Sequence, residues 1–250
     1  MNHAGAFKRA VPAVTEKGDR SMRYVSIMGD SISTYEGYVP EGYAVYYDSW
    51  TRTRNGLTSV YDTWWAKVNQ ALKAYLCVDN AFSGSRVTGD AFPAASCEQR
   101  TGALHTAAAV PDIILVYIGF NDFGDGVPIR APGLKGLFRK DPNSFEVAYT
   151  KMLKQIKRAY PYAKIVCGTL MRSTVAGYDT WTFPERFCGV PYEDYSHAIR
   201  RACKREKCYL ADLSALGLRY ESLDGTHPTK NGHHTLFLAW ERCLTQLGLI

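Results

Sequence analysis

A serine, a histidine and an aspartate stand in sequence contexts suited to a nucleophile and its base. Ser31 ends the run Gly-Asp-Ser, and Asp224 and His227 lie three residues apart in the run Asp-Gly-Thr-His-Pro. A serine hydroxyl becomes a strong nucleophile only when a base takes its proton. His227 can be that base, and Asp224 can fix its tautomer and stabilise the imidazolium. These residues therefore predict nucleophilic attack on an acyl group.

Two further groups supply the donors that such an attack requires. An attacked carbonyl becomes an oxyanion, and each preorganised donor to it is worth about 10²–10³ in rate. The backbone N–H groups of Ser31 and Gly84 and the side-chain amide of Asn121 could supply three donors. Glycine at position 84 would let the backbone approach a substrate closely. We expect these three residues to form an oxyanion hole.

Five residues beside these groups are predicted to line a substrate site: Asp30, Tyr35, Tyr38, Arg86 and Asp122. The tyrosines belong to an aromatic-rich loop that could form a platform for a sugar ring or an acyl pocket. The same aromatic residues could equally pack the loop onto the domain. Arg86 could face the site, and a structural salt bridge, for instance with Asp122, is the alternative.

Each group also has a purely structural interpretation. A serine after a strand often caps a helix, and an Asn-Asp pair often forms an Asx turn. Gly84 could be a turn glycine, and Asp224 and His227 could lie in a surface turn. A structural interpretation accounts for each group alone, but not for all of them beside predicted strand ends.

The chain around these groups alternates between short β-rich runs and longer amphipathic runs. The predicted strands are 24–28, 76–80, 113–118, 164–168 and 208–210. The predicted helices are 61–74, 97–108, 144–159, 191–206 and 231–247. This alternation predicts a parallel sheet that is covered by helices on both faces. Because such sheets bind ligands at the carboxyl ends of their strands, the groups should meet at one sheet edge.

The pattern predicts one domain over residues 23–250, preceded by a flexible tail over residues 1–22. A chain of 250 residues can bury roughly 70–75% of its unfolded surface, which is enough for one sizeable core. Its hydrophobic content of 46% excludes a mostly disordered chain. Three long loops, which are often functional at such lengths, are predicted at 33–57, 120–140 and 170–190.

Taken in order, the groups resemble the sequence blocks of the SGNH hydrolases, also called GDSL-type esterases and lipases. The blocks are Gly-Asp-Ser at 29–31, the single Gly84, Gly-Phe-Asn-Asp at 119–122 and Asp-Gly-Thr-His-Pro at 224–228. The resemblance extends over about residues 24–240. One departure is Ile32, which stands where the family name has leucine.

The resemblance implies a three-layer α/β/α sandwich around a flavodoxin-like, five-stranded parallel sheet, with no metal and no organic cofactor. It implies that Ser31 is the nucleophile, that His227 is the base oriented by Asp224, and that Gly84 and Asn121 are oxyanion donors. The motif Gly-x-Ser-x-Gly, which marks the nucleophile of the α/β-hydrolases, is absent from the sequence.

The net charge of +6 raises the question of a nucleic acid or an anionic membrane as partner. Residues 1–23 hold five basic and two acidic residues, so half of the excess lies in the predicted tail and the first residue after it. The densest later basic run, 200–207, ends a predicted helix, where cations suit the helix dipole. Because no nucleic-acid-binding motif accompanies it, we expect no nucleic-acid partner.

The expected location is cytoplasmic. The strongest apolar run, 113–120, has only the length of a strand, so no membrane span is predicted. Residues 1–22 lack the apolar core of a signal peptide, and the seven cysteines show no Cys-x-x-Cys spacing. These features favour a reducing compartment. Export with a signal already removed, and one or two disulfides, stay open as alternatives.

The sequence therefore predicts a serine esterase whose partner is a small-molecule or glycan ester. The polar, aromatic-rich loop and the lack of an evident apolar lid favour short acyl groups, such as acetyl on a carbohydrate. A lysophospholipase or lipase, or an arylesterase, is the alternative within the family. A non-catalytic sugar-binding module is the third class, after the second, which is a metal-dependent phosphoesterase. Its ligands would be hard oxygen and imidazole groups of Asp30, Asn121, Asp122, Asp125, Asp224 and His227.

Overall fold

Five parallel strands form the central sheet. They are β1 Arg23–Gly29, β2 Ala74–Ala81, β3 Ile113–Tyr117, β4 Lys164–Gly168 and β5 Tyr209–Ala211. Their spatial order is β2-β1-β3-β4-β5, and every neighbouring pair is parallel. This is the flavodoxin-like order, so the predicted fold class is confirmed. In this order the chain changes direction across the sheet between β1 and β3, where ligands bind at the carboxyl ends.

The computed structural model describes residues 22–130, 141 and 143–250. Apart from Met22, the predicted flexible tail lies outside the described residues, as do residues 131–140 of the second predicted long loop. The five observed strands lie within two residues of their predicted bounds. Their apolar composition explains this agreement: β3 reads Ile-Ile-Leu-Val-Tyr and is buried at every position, as expected for a parallel strand that is covered on both faces.

Helices cover both faces of the sheet. Those of the described residues are α1 Ser49–Arg54, α2 Trp64–Ala71, α3 Glu98–Gly102, α4 Phe120–Gly124, α5 Phe145–Ala159, α6 Tyr192–Glu206 and α7 Lys230–Gln246. Helix α2 packs against α7, whereas α5 packs against both α3 and α6. Adjacent strand residues face opposite sides: Cys167 lies beside Tyr149 of α5, and a Cβ at Gly168 would touch Trp240 of α7. The molecule therefore has three layers.

Buried aromatic rings fix the end of β3 against one helical layer. The rings of Trp64 and Trp240 stack with centroids 5.2 Å apart and join α2 to α7. Tyr117, the last residue of β3, meets both rings edge-on, at 5.6 and 6.1 Å. All three side chains are fully buried. This packing holds the strand end from which the chain enters α4.

Two predicted helices are shorter in the structure. Helix α3 ends at Gly102 instead of continuing to residue 108. The Asn80 amide donates hydrogen bonds to the carbonyls of Arg100 and Ala103, which a longer helix would have used internally. Helix α2 begins at Trp64, three residues later than predicted, after a 3-10 turn at Val60–Asp62.

Two of the predicted long loops contain short helices. Helix α1 lies inside the first, where Asp48 and Thr51 form a reciprocal capping box. Helix α4 begins the second, directly after β3.

Short strands outside the central sheet support the last loops. Ser173–Val175 pairs in parallel with Tyr220–Ser222, just before the loop of Asp224 and His227. Arg186–Phe187 forms an antiparallel hairpin with Val190–Pro191. Further 3-10 turns are Ser31–Ser33 and Leu213–Leu216. All seven cysteines are free thiols. Within the described ranges, every helix is too short or too polar to cross a membrane.

Candidate active site

Ser31 lies in a tight turn at the carboxyl end of β1. The turn Ser31–Ser33 is a single 3-10 turn, and an Asp30 carboxylate oxygen caps it by accepting the Ile32 N–H at 3.1 Å. A Cβ at Gly29 would lie 2.6 Å from the Ser33 Oγ, so the turn can close only over glycine. Local packing thus accounts for Gly29, and the cap of the turn accounts for Asp30.

The structure brings Ser31, His227 and Asp224 into one chain of hydrogen bonds. The His227 Nε2 lies 2.9 Å from the Ser31 Oγ, and the Nδ1 lies 2.7 Å from the Asp224 Oδ2. An ionised carboxylate can only accept hydrogen bonds, so Nδ1 is assigned the proton and Nε2 the free lone pair. Nε2 can therefore accept the hydroxyl proton of Ser31.

Asp224 holds both the turn and the ring of the histidine loop. Its Oδ1 accepts the backbone N–H groups of Thr226 at 2.9 Å and His227 at 2.8 Å, which leaves Oδ2 for the imidazole. Burial alone would raise the pKa of Asp224. The hydrogen bonds and charge of His227 outweigh that effect and hold the pKa well below its ordinary value. The carboxylate is therefore ionised at neutral pH.

A residue that the sequence did not single out supports the peptide after His227. The Asn55 amide donates to the carbonyl of His227 at 3.3 Å and to that of Pro228 at 3.0 Å. The Tyr47 hydroxyl also donates to the Pro228 carbonyl, at 2.8 Å. No motif marks Asn55, because its role arises from a contact between segments about 170 residues apart in the chain.

Gly84 and Asn121 follow the strands on either side of β1. The Asn121 side-chain amide donates one hydrogen bond to the Ser85 carbonyl at 2.9 Å. An amide group has two N–H donors, so the second is available to a ligand. Gly84 is exposed, with a φ of +79°, and no atom would lie within 4 Å of a Cβ there. The hydrogen bond therefore joins the loop of Gly84 to helix α4, which carries Asn121, and the space beside Gly84 is open.

Two of the predicted substrate-lining residues are buried instead. Asp122 is fully buried and accepts hydrogen bonds from the N–H of Val87 at 2.7 Å and from the N–H and hydroxyl of Thr88. Asp30 is also fully buried and caps the serine turn. Burial raises the pKa of each carboxyl to about 6. Both side chains therefore hold loops in place rather than line the cleft.

The other three predicted lining residues have varied surroundings. Tyr35 belongs to the core and is only 4% exposed, the same fraction as Ser31, so its contact with substrate stays a prediction. Tyr38 is 44% exposed and packs against the rings of Tyr35 and Trp65. Arg86 is exposed and forms an ion pair with Asp125 at 3.2 Å. The suggested partner Asp122 is excluded because the backbone donors already occupy it.

Aromatic residues flank the site on two sides. Next to Gly84, the rings of Tyr43, Phe82 and Phe92 pack mutually, with centroids 5.2–5.4 Å apart. Beside Asp224, the Trp181 ring covers Gly225, where a Cβ would lie only 2.9 Å from the indole. Trp181 could not be found from the sequence, since no spacing relates it to the residue that it covers.

The six suggested metal ligands do not form a cluster. Asp30 and Asp122 bind backbone donors, Asp125 pairs with Arg86, and Asp224 pairs with His227. Among residues 22–130, 141 and 143–250, no three His, Cys, Asp or Glu side chains form a group that could hold a metal ion.

Comparisons with known proteins agree with this geometry. A family model described as GDSL-like Lipase/Acylhydrolase matches residues 23–175, which is more than half of the chain. No curated protein matched the sequence of this chain. A protein described as a GDSL-like lipase from Bacteroides uniformis has a similar structure, with a TM-score of 0.67 at 26% identity. The match covers 92% of this chain and 98% of the other.

Two more solved structures share the fold at lower identity. A protein described as a GDSL-like lipase from Bacteroides ovatus has a TM-score of 0.68 at 23% identity, covering 91% of this chain and all of its own. A carbohydrate acetylesterase family member from Sinorhizobium meliloti has a TM-score of 0.57 at 17% identity, with 91% and 100% coverage. At these identities the likeness concerns the fold alone.

Proposed function

The chain belongs to the GDSL-like lipase/acylhydrolase family of ester-hydrolysing enzymes, and on that premise we propose that it cleaves carboxylic esters through an acyl-enzyme on Ser31. The observation that carries the proposal is the unbroken hydrogen-bond chain from Ser31 through His227 to Asp224. Its distances, 2.9 and 2.7 Å, lie within the range that general-base catalysis requires.

In the first half-reaction, the Ser31 Oγ attacks the ester carbonyl carbon while its proton passes to the His227 Nε2. The ionised Asp224 stabilises the imidazolium that forms. The carbonyl oxygen becomes an oxyanion, which the N–H groups of Ser31 and Gly84 and the second Asn121 amide hydrogen would bind. The intermediate then collapses, and the alcohol leaves with the proton that His227 had taken.

The second half-reaction repeats these steps with water as the nucleophile. His227 takes a proton from the water, and the resulting hydroxide attacks the acyl carbon on Ser31. Collapse of the second tetrahedral intermediate releases the carboxylic acid and returns the proton to the Ser31 oxygen. The same donors serve both halves, so a single oxyanion hole suffices.

For the substrate, the proposal is a short acyl group, such as acetyl, carried by a carbohydrate. The exposed ion pair of Arg86 and Asp125 offers hydrogen bonds to hydroxyl groups, and the neighbouring rings of Phe82 and Phe92 offer flat surfaces to a sugar. The charged pair would disfavour a long alkyl chain there. The Sinorhizobium neighbour described as a carbohydrate acetylesterase makes acetylated glycans the first substrates to assay.

Substitution of the proposed nucleophile tests the reaction class. We expect Ser31→Ala to lower kcat for p-nitrophenyl acetate by at least about 10³-fold, since a single triad residue carries most of the effect of the whole triad. Ser49→Ala, at an exposed position of α1, is the matched control and should retain full activity. A Ser31→Ala enzyme with wild-type kcat would exclude the mechanism.

A series of p-nitrophenyl esters tests the substrate class. We expect kcat/KM to be highest between acetyl and butyryl and to fall with longer chains, because the exposed ion pair of Arg86, two residues after Gly84, with Asp125 would disfavour a long alkyl chain. A value that rises steeply beyond octanoyl would instead favour the lipase alternative.

A further inference from the structure

One tyrosine of the aromatic loop lies directly on the proposed base. The rings of Tyr46 and His227 are stacked, with their centroids 3.4 Å apart and an interplanar angle of 7°. The Tyr46 hydroxyl donates a hydrogen bond to the Asp224 Oδ2 at 3.3 Å. One side chain therefore contacts both the imidazole and the carboxylate that orients it.

The backbone of Tyr46 is tied to the serine turn. Its N–H donates to the Thr34 Oγ1 at 2.9 Å, and that hydroxyl donates to the Ser31 carbonyl, also at 2.9 Å. The Tyr47 ring packs edge-on against Tyr46, with centroids 4.9 Å apart. Because Tyr46 is anchored on the serine side and stacks on the histidine side, it can fix the ring plane of His227 relative to Ser31.

Resting on the proposed function, we propose that Tyr46 is a positioning residue that aligns His227 with Ser31 and stabilises the imidazolium formed during catalysis. The face of an aromatic ring attracts a cation, so the stack favours the charged imidazole that exists in the transition state. Burial raises the pKa of Tyr46 to about 12. The phenol therefore keeps its proton and donates to Asp224 at any pH of interest.

The two parts of the side chain act in opposite directions on the base. The ring face stabilises protonated His227, whereas the hydroxyl partly neutralises the Asp224 Oδ2 that attracts the same proton. Other groups within electrostatic reach are Asp30 after β1 and His233 on α7, with Arg54 of α1 near Tyr46. They are the same in every Tyr46 variant, so differences between variants report the ring and the hydroxyl.

Two variants separate these parts. Tyr46→Phe keeps the ring and removes the hydroxyl, and Tyr46→Leu removes both but still covers the imidazole. We expect Tyr46→Leu to lower kcat by about three- to thirtyfold, the range of a cation–π contact that is partly desolvated, with KM nearly unchanged. Tyr46→Phe should retain kcat within about threefold, because the lost hydrogen bond to Asp224 is long, at 3.3 Å, and exposed enough for water to replace it.

The pH profile of kcat/KM gives a readout that a merely structural role would not move. The midpoint of its acid limb should shift to higher pH in Tyr46→Phe, and it should lie at lower pH in Tyr46→Leu than in Tyr46→Phe. Tyr61→Leu, at an exposed tyrosine, is the control and should behave as the wild type. Tyr46→Met supplies a second non-aromatic side chain if the leucine variant does not fold.

Equal kcat and equal acid limbs in Tyr46→Phe and the non-aromatic variants would overturn the positioning role. That result is distinguishable from failure of the proposed function. If Ser31→Ala is inactive while Tyr46→Leu matches the wild type, only the role of Tyr46 is rejected. If Ser31→Ala stays active, the triad mechanism itself fails.

Discussion

Two segments of the candidate active site, a helix and a loop, each contribute an aspartate, and the two carboxyl groups have opposite environments. Asp224, in the loop after the short strand Tyr220–Ser222, has a side chain 45% exposed and contacts the imidazole of His227. Asp122, in α4, is fully buried and contacts only backbone and hydroxyl donors of Val87 and Thr88. The pKa of Asp224 is lowered and that of Asp122 is raised to about 6.

The difference indicates that Asp224 takes part in the reaction, whereas Asp122 holds the site in shape. Asp224 can respond to a charge that appears on His227, because its ionised oxygen faces the ring. Asp122 instead fastens the loop that carries Gly84 to the helix that carries Asn121, so it sets the distance between the two proposed oxyanion donors. Asp122 and Asp224 therefore have different roles, and substitutions should affect stability and activity differently at the two positions.

The largest effect is expected at Asp224. Asp224→Asn should lower kcat/KM by about 10⁴-fold, because an amide no longer enforces the imidazole tautomer that accepts the serine proton. At neutral pH the melting temperature should fall modestly, since the amide oxygen can still cap the turn but the charge that favours the folded state is lost. Kinetics and a melting curve on the same sample check both parts. An activity within tenfold of the wild type would contradict the role of Asp224.

Substitution of Asp122 should lower the free energy of unfolding, and it should lower activity less than substitution of Asp224 does. Asp122→Ala leaves the buried N–H groups of Val87 and Thr88 without an acceptor, at a cost of about 1–3 kcal/mol for each unsatisfied group. The loosened Gly84 loop should lower kcat by about 10- to 100-fold, the scale of partial loss of one oxyanion donor. Urea unfolding and kcat measure the two effects. Unchanged stability would show that the hydrogen bonds from Val87 and Thr88 to Asp122 do not stabilise the fold.

The two aspartates should also respond to pH with opposite signs. Burial raises the pKa of Asp122 from 3.8 to about 6, so stability falls as pH rises through this window and ionises the buried group. Burial also opposes the ionisation of Asp224, but bonds with His227 prevail and lower its pKa. Ionised Asp224 therefore stabilises the folded protein above about pH 4, and this stabilisation is lost as the pH falls further.

Two asparagine variants measure these signs. Relative to the wild type, Asp122→Asn should gain stability between about pH 4 and 7, whereas Asp224→Asn should lose stability as the pH rises from about 2.5 to 5. Urea unfolding across this range provides the comparison. If the stability of both variants depended on pH in the same way, the electrostatic environments of Asp122 and Asp224 would not differ.

The smallest effect is expected at Arg86. Its ion pair with Asp125 is exposed, with side chains 44% and 59% accessible, and such pairs contribute about 0–1 kcal/mol. Arg86→Ala should therefore leave the melting temperature and kcat/KM for p-nitrophenyl acetate nearly unchanged, within about threefold. A tenfold loss on this small ester would mean that Arg86 acts on the acyl group itself.

The strands and the main helices could be predicted because their signals are local. β3 is a continuous apolar run, and α5, predicted at 144–159, is observed at Phe145–Ala159. The proximity of Asp224 to His227 is likewise a matter of three residues in one turn. Their position opposite Ser31 was predicted from the carboxyl ends of the central strands, but the strand directly before them, Tyr220–Ser222, lies outside the central sheet and was not predicted.

The features that sequence reasoning missed depend on contacts between distant segments. Asp122 is buried because donors more than 30 residues earlier in the chain reach it. Tyr46 finds Asp224 across 178 residues, and no spacing encodes that contact. Helix α3 ends early because Asn80, on a strand, competes for its carbonyls. Burial and long-range pairing thus decide which polar residues face a substrate and which support the loops.

The proposed reaction requires Ser31 to be a nucleophile activated by His227, and covalent labelling of that serine detects this property. A fluorophosphonate reacts with serines that a neighbouring base has activated, and peptide mapping locates the adduct. We predict one adduct per chain, on Ser31, absent in Ser31→Ala and formed far more slowly in His227→Ala. An active enzyme that remains unlabelled, or carries its adduct on another residue, would contradict the account.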